Sequence, residues 1–211
     1  MAGQSFMAIS AGPYFKFNPS ISLMVACDSV EEVNTLWKSL AEGGMTSQKI
    51  TPNLLFSGDA CGRTEEAVKY YTYIFPNSDI HFFSKYGEGE AKSSKAIVNY
   101  AAFKLLGMEF SAMDNAYDVE FGFNEAFSLI VQCEDQAEID DYWEKLSAVP
   151  EAEQCGWLKD RFGLSWQIVP ASMNELMSKG SKEAVQRITA AFLKMKKFDI
   201  EALKRAYNGE A

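Results

Sequence analysis

Residues 15–40 of the chain recur, with changes, at residues 121–146. The first copy reads FKFNPSISLMVACDSVEEVNTLWKSL and the second FGFNEAFSLIVQCEDQAEIDDYWEKL. Ten of the 26 aligned positions are identical, among them Phe17, Asn18, Ser22, Leu23, Val25, Cys27, Trp37 and Leu40. Upstream, GQSFMA at residues 3–8 answers GMEFSA at residues 107–112. An internal repeat constrains architecture more than any single motif, because both copies must adopt one supersecondary unit. The flanks of the second copy have no counterpart around the first. The chain therefore reads as one complete domain preceded by an incomplete copy of its middle.

Each copy has a short apolar run followed by helical spacing. Ala126–Cys133 is rich in strand formers and reads as a largely buried strand. Ile139, Tyr142, Trp143 and Leu146 then place apolar side chains on one helix face. The same signals mark a strand at Ile21–Cys27 and a helix at Val30–Leu40.

Between the copies, Lys49–Ser57 reads as a strand, with Pro52 placing its start near an edge. Gly58–Arg63 is a loop. Thr64 can cap a helix carrying Ala67, Val68, Tyr71 and Ile74, which ends at Phe75-Pro76. Strands follow at Ile80–Tyr86, Ala96–Leu105 and Glu109–Met113. Residues 127–170 repeat the order, with a weak strand near Glu151–Cys155 and a last strand at Leu164–Val169. The expected fold class is α+β, two paired βαβββ units. In the tail, Ser181 opens one helix through Lys194, and Asp199 opens another. The expected organisation is an incomplete repeat at residues 1–45, a complete domain at 48–170 and a helical extension at 171–211.

These segments carry a family resemblance. ITPNLLFSGDACGRTEEAVKYYTYIFPNSDI, FNEAFSLIVQCEDQAEIDDYWEKL, EQCGWLKDRFGLSWQIVP and MKKFDIEALKRAY resemble PhnB-like proteins. Those belong to the vicinal-oxygen-chelate superfamily, with the glyoxalases, bleomycin-resistance proteins and extradiol dioxygenases. The resemblance covers roughly residues 49–208, and residues 1–44 look like the centre of a truncated first domain of a tandem member. It implies a glyoxalase-like domain. It also brings a label often given to such proteins, 3-demethylubiquinone-9 3-methyltransferase.

Carried over position by position, the superfamily's metal ligands fall on Pro52 with Asn53, near Ala112, on Ser128 and on Gln167. Only Gln167 is a usable ligand there. The chain has a single histidine, His81, outside this set, so a two-His-one-carboxylate iron site cannot be built within one chain. No metal and no cofactor are expected. The methyltransferase label receives little support either. Gly58-Asp59-Ala60-Cys61-Gly62 follows a strand and precedes a helix, but βαβββ order does not make the doubly wound sheet that cradles such cofactors.

What remains is a candidate pocket of Asn53, Ser128, Trp157, Trp166 and Gln167, a few polar groups in an apolar cavity. Trp37 and Trp143 read as core, and Asp160 with Arg161 as a surface turn. No Ser-His-Asp, Cys-His or paired-carboxylate arrangement is visible. The expected function is metal-free binding of a small molecule; the alternative is an enzyme, either the labelled methyltransferase or a metal-dependent lyase or dioxygenase.

A formal net charge of -9 argues against nucleic acid and anionic membranes as partners. The four cysteines, without metal-type spacing, read as reduced thiols of a cytoplasmic protein. The incomplete copy cannot bury its own apolar face. Its expected role is assembly: two chains pair as a homodimer and complete a shared sheet, with packing on the same chain as the alternative.

Overall fold

The computed structural model describes residues 16–25, 27–41 and 50–210. The upstream GQSFMA block and the side chains of Leu36 and Leu40 lie outside the described residues. The chain forms two compact units, residues 1–122 and 123–211, so the division falls within the segment expected to be a single domain.

The first unit holds β1 (Ile21–Val25), α1 (Val30–Ala41), β2 (Ile50–Phe56), α2 (Thr64–Ile74), β3 (Asp79–Lys85), β4 (Val98–Leu105) and β5 (Met108–Asp114). Its sheet runs β1-β2-β5-β4-β3. β2 lies parallel to β5, and the other ladders are antiparallel. The alternation of ITPNLLF explains β2: Ile50, Pro52, Leu54 and Phe56 are buried, while Thr51, Asn53 and Leu55 point the other way. β2 is an interior strand rather than an edge one. Pro52 is tolerated because the ladder to β5 starts only at Asn53.

α2 lays Ala67, Val68, Tyr71 and Ile74 on one face of this sheet, against the row Ala101, Phe103, Phe110 and Ala112. Thr64 is not its cap. Its hydroxyl donates to Asp114 Oδ1 at 2.7 Å. Asp114 is fully buried at the end of β5 and also accepts from the backbone of Gly62 (2.8 Å), Ile97 (3.0 Å) and Val98 (2.8 Å). One carboxylate thereby ties the loop before α2 to the start of β4.

The first repeat packs within its own chain: β1 pairs antiparallel with β2, Leu23 facing Pro52 and Ser22 facing Asn53. Among the described residues, α1 makes no extensive contact with any other element, and Val30, Val33 and Trp37 are exposed.

The second unit holds β6 (Leu129–Cys133), α3 (Gln136–Leu146), β7 (Trp157–Lys159), β8 (Ser165–Pro170), α4 (Met173–Lys179), α5 (Lys182–Phe192) and α6 (Ile200–Asn208). The sheet order is β6-β8-β7, with β6 parallel and β7 antiparallel to β8. Asp135 caps α3 by accepting from Glu138 N, and α3 buries Ile139, Tyr142 and Leu146 over this sheet.

The strand expected at Glu151–Cys155 is instead a 3-10 turn at Pro150–Ala152, and only Gln154 forms a bridge, to Trp157. Positive φ at Cys155 (52°) and Gly156 (81°) takes the backbone out of extended conformation there. The unit is thus βαβββ-like, with one strand reduced to a bridge. Asp160 is not a surface turn residue but buried: it accepts from Phe162 N and Leu164 N, and from Trp166 Nε1 at 2.8 Å.

The tail docks on this unit. Cys155 N donates to Met195 O and Gly156 N to Lys196 O. The Gln136 carboxamide donates to Phe198 O and accepts from Ile200 N. Phe198 presses so closely on Gly156 that a Cβ there would lie 2.6 Å from the ring, which glycine alone avoids.

The cysteines are free thiols, Cys61 and Cys133 buried and Cys27 and Cys155 partly so. Burial, reinforced by Glu138, Asp135 and Glu134, pushes the Cys133 thiol up to about 12. The neutral thiol is the form that folding favours. Its contribution to stability is therefore complete below the ordinary value of 9.0 and is lost as pH rises toward 12. At about pH 8, iodoacetamide is expected to leave Cys133 unmodified in the native protein and to modify it in denaturant. Peptide mass spectrometry reads this directly.

Candidate functional site

With α2 covering one face of the first sheet, Asn53 of β2 and Ser111 of β5 fall on the other. Asn53 stands opposite Ser111 in the parallel ladder. Ser111 Oγ, fully buried, donates to Asn53 Oδ1 at 2.9 Å, and Asn53 Nδ2 donates to Ser22 Oγ at 3.4 Å. Leu55 and Met113 form the next pair along this face. The Phe82 and Tyr100 rings lie 5.7 Å apart on β3 and β4. His81 is an exposed member of the same edge. Its Nε2 meets Glu109 Oε2 at 2.9 Å, and its Nδ1 meets Asp79 Oδ1 at 3.1 Å.

In the second unit, strand alternation separates the two tryptophans. Trp157 is in register with Gln167, whereas Trp166 faces Leu158 and Leu129 on the opposite side of the sheet. The Trp166 indole is buried and committed to Asp160. It therefore does not share a face with Gln167. Gln167 Nε2 donates to Ser128 Oγ at 2.8 Å. On the same face stands Ser165, whose buried Oγ has no hydrogen-bond partner, and beyond it Lys159, ion-paired with Glu125.

The structure thus brings Ser128, Gln167 and Trp157 together in the second unit. It places Asn53 with Ser22 and Ser111 in the first. Sequence reasoning did not single out Ser22, Ser111 or Ser165. A signal for Ser22 was available: it is the repeat-mate of Ser128, and both serines accept a hydrogen bond from a carboxamide.

Of the positions carried over from the superfamily's metal ligands, Pro52 and Ala112 offer no side-chain donor atom and Asn53, Ser128 and Gln167 are neutral, which does not fit a divalent ion well. Among the described residues, no group of three His, Cys, Asp or Glu could hold a metal. The glycine-containing loop 58–62 forms a 3-10 turn at Gly58–Ala60, and the Gly62 amide is already given to Asp114. A cavity of about 530 Å³ beside it is lined by Asp59, Lys95, Tyr117, Asp118 and Glu120, among others. Cys61, also on its wall, has its thiol pushed up, first by burial and then by Asp114, which keeps it protonated and unreactive.

The model of the 3-demethylubiquinone-9 3-methyltransferase family matches residues 1–49 and 48–169. The chain belongs to that family. A PhnB protein from Bacillus cereus is 36% identical; the match covers 59% of this chain and 100% of that protein, with a TM-score of 0.49. A Pseudomonas aeruginosa protein of known structure is 20% identical over 56% of this chain and 93% of its own, with a TM-score of 0.42. The fosfomycin-resistance protein FosX of Listeria monocytogenes is 15% identical over 64% of this chain and 100% of its own, with a TM-score of 0.44. No curated protein matches the chain. The 36% identity over the whole of the Bacillus cereus protein makes the chain PhnB-like, and its own structure is mixed α+β with βαβββ-like units. No helix among the described residues is long and apolar enough to cross a membrane.

Proposed function

We propose that this family member binds a small organic molecule on the helix-free face of its second sheet, through carboxamide and hydroxyl groups and without a metal ion, in the cytoplasm. The observation that carries the reading is the Gln167–Ser128 pair beside Ser165, whose buried hydroxyl has no partner. A buried polar group in that state calls for a partner such as an ordered water or a ligand group. Trp157, half-buried on the same face, offers an apolar wall, so the site combines few polar groups with hydrophobic surface.

The test is a fluorescence titration of the full chain, excited at tryptophan, against a panel of small polar aromatic and phosphonate compounds. Saturable binding that survives a chelator and weakens by roughly tenfold in Gln167→Ala supports the reading. Absence of any saturable binding overturns it, as does binding abolished by the chelator or stoichiometric metal in the purified protein. The family description favours an enzymatic alternative, methyl transfer. Saturable binding of S-adenosylmethionine, with transfer of its methyl group to a phenolic acceptor, would establish that alternative instead.

A further inference from the structure

We infer that the ligand of the second unit is a small carboxylic acid with an apolar body, and that Glu125 holds the place of its carboxylate until it binds; this rests on the binding reading just given. Lys159 stands directly opposite Ser165 in the ladder of β7 and β8, on the face that also carries Trp157 and Gln167. Residues opposed in this way hold their Cβ atoms about 4.5–5.5 Å apart, so the ammonium and the hydroxyl can serve one ligand group together. Lys159 Nζ is already paired with Glu125. Ser165 is 1% exposed, and its hydroxyl has no partner among the described residues. Within one cross-strand pair, one donor is therefore given to a carboxylate and the other is unspent.

The two ends of the ion pair are mounted differently. Lys159 is part of β7, whereas Glu125 lies in the turn ahead of β6, and such connecting segments yield more readily than strands. The side chains are 23% and 27% exposed. The ammonium is thus withdrawn enough to need an anion, while a released Glu125 carboxylate still has a path to water. An incoming carboxylate keeps Lys159 paired, and its second oxygen accepts from Ser165. Lys159 supplies one positive charge and its present partner is a monoanion. A carboxylate matches that balance, and a phosphate dianion does not. Trp157 lies two residues along the same strand, about 7 Å away, which sets an apolar wall beside the acid group.

The experiment is a tryptophan-fluorescence titration of the full chain with phenylacetate, its neutral isostere phenylacetamide, and phenyl phosphate. The expected result is at least about tenfold tighter binding of phenylacetate than of the other two, a preference lost in Lys159→Gln and kept in Lys159→Arg. Glu125→Gln removes the internal competitor, so it is expected to tighten phenylacetate binding by about threefold or more and to leave phenylacetamide unchanged. A merely structural ion pair gives no such gain. Circular dichroism verifies the fold; should Lys159→Gln lose it, Lys159→Arg and Glu125→Gln carry the test. Equal binding of acid and amide overturns the inference, as does an acid preference that survives Lys159→Gln. In either case, binding of the amide that depends on Gln167 leaves the broader reading standing. Tighter binding of phenyl phosphate overturns the carboxylate class, and weaker phenylacetate binding in Glu125→Gln overturns the displacement. Binding of none of the three also overturns this inference, while the wider panel still decides the reading beneath it.

Discussion

Replacing Asp114 by alanine is expected to destabilise the first unit by about 3–5 kcal/mol, because it orphans buried donors drawn from three separate segments. The loop at Gly62, the first turn of α2 at Thr64 and the start of β4 at Ile97–Val98 all converge on this one side chain. Asparagine should serve little better than alanine. Oδ1 accepts from Gly62 and Thr64 while Oδ2 accepts from Ile97 and Val98. A carboxamide has one acceptor end only, and its NH2 would face donors whichever way it turned. Glutamate would carry the right chemistry but add a methylene to a fully buried site. Urea denaturation should show a lower midpoint for Asp114→Ala and Asp114→Asn alike, with a melting temperature lower by roughly 10 °C or more. If Asp114→Asn retained near-native stability, the picture of two opposed acceptor oxygens would be wrong.

The second large effect concerns Asp160. Its carboxylate holds the turn before β8 through Phe162 N and Leu164 N and receives Trp166 Nε1 in the core. Asp160→Ala should cost about 2–4 kcal/mol in the second unit. Trp166→Phe keeps most of the apolar volume but removes one of the donors, and should cost about 1–3 kcal/mol. The two losses should not add, since both break one bond; a double-mutant cycle measures the coupling. Full additivity would show that the indole and the carboxylate do not act together.

Both carboxylates show where the sequence ceases to be legible. α2 could be read from Ala67, Val68, Tyr71 and Ile74, because helical periodicity is local and these residues bury as their spacing implies. Thr64 could not, since its partner lies 50 residues away. Asp160 sits in a segment whose composition is that of a solvated turn. Only the packing of β7 against β8 makes the position buried. α4 went unread because it is short, buries no residue and has no side-chain cap. The strand expected near Glu151–Cys155 failed on the backbone conformation of Cys155 and Gly156, which an apolar pattern does not encode.

Of the candidate site, Ser128 and Gln167 were placed by position and do meet. The separation of Trp157 from Trp166 was within reach, because residues that close a tight antiparallel hairpin need not share a face. The contributions of Ser22 and Ser111 depend on ladders that join residues 31 and 58 positions apart, which no local pattern records.

The position of the first repeat has a consequence for the order in which the protein is made. β2 needs β5 on one side, and its Asn53 must wait for Ser111, 58 residues later. At usual rates of synthesis that is an interval of roughly 3–12 s in which one flank of β2 is bare on the ribosome. β1 has by then already left the tunnel ahead of it. An early-emerging copy of a later strand can therefore pair with β2 first, so that a nascent chain never offers both flanks of that strand to its neighbours.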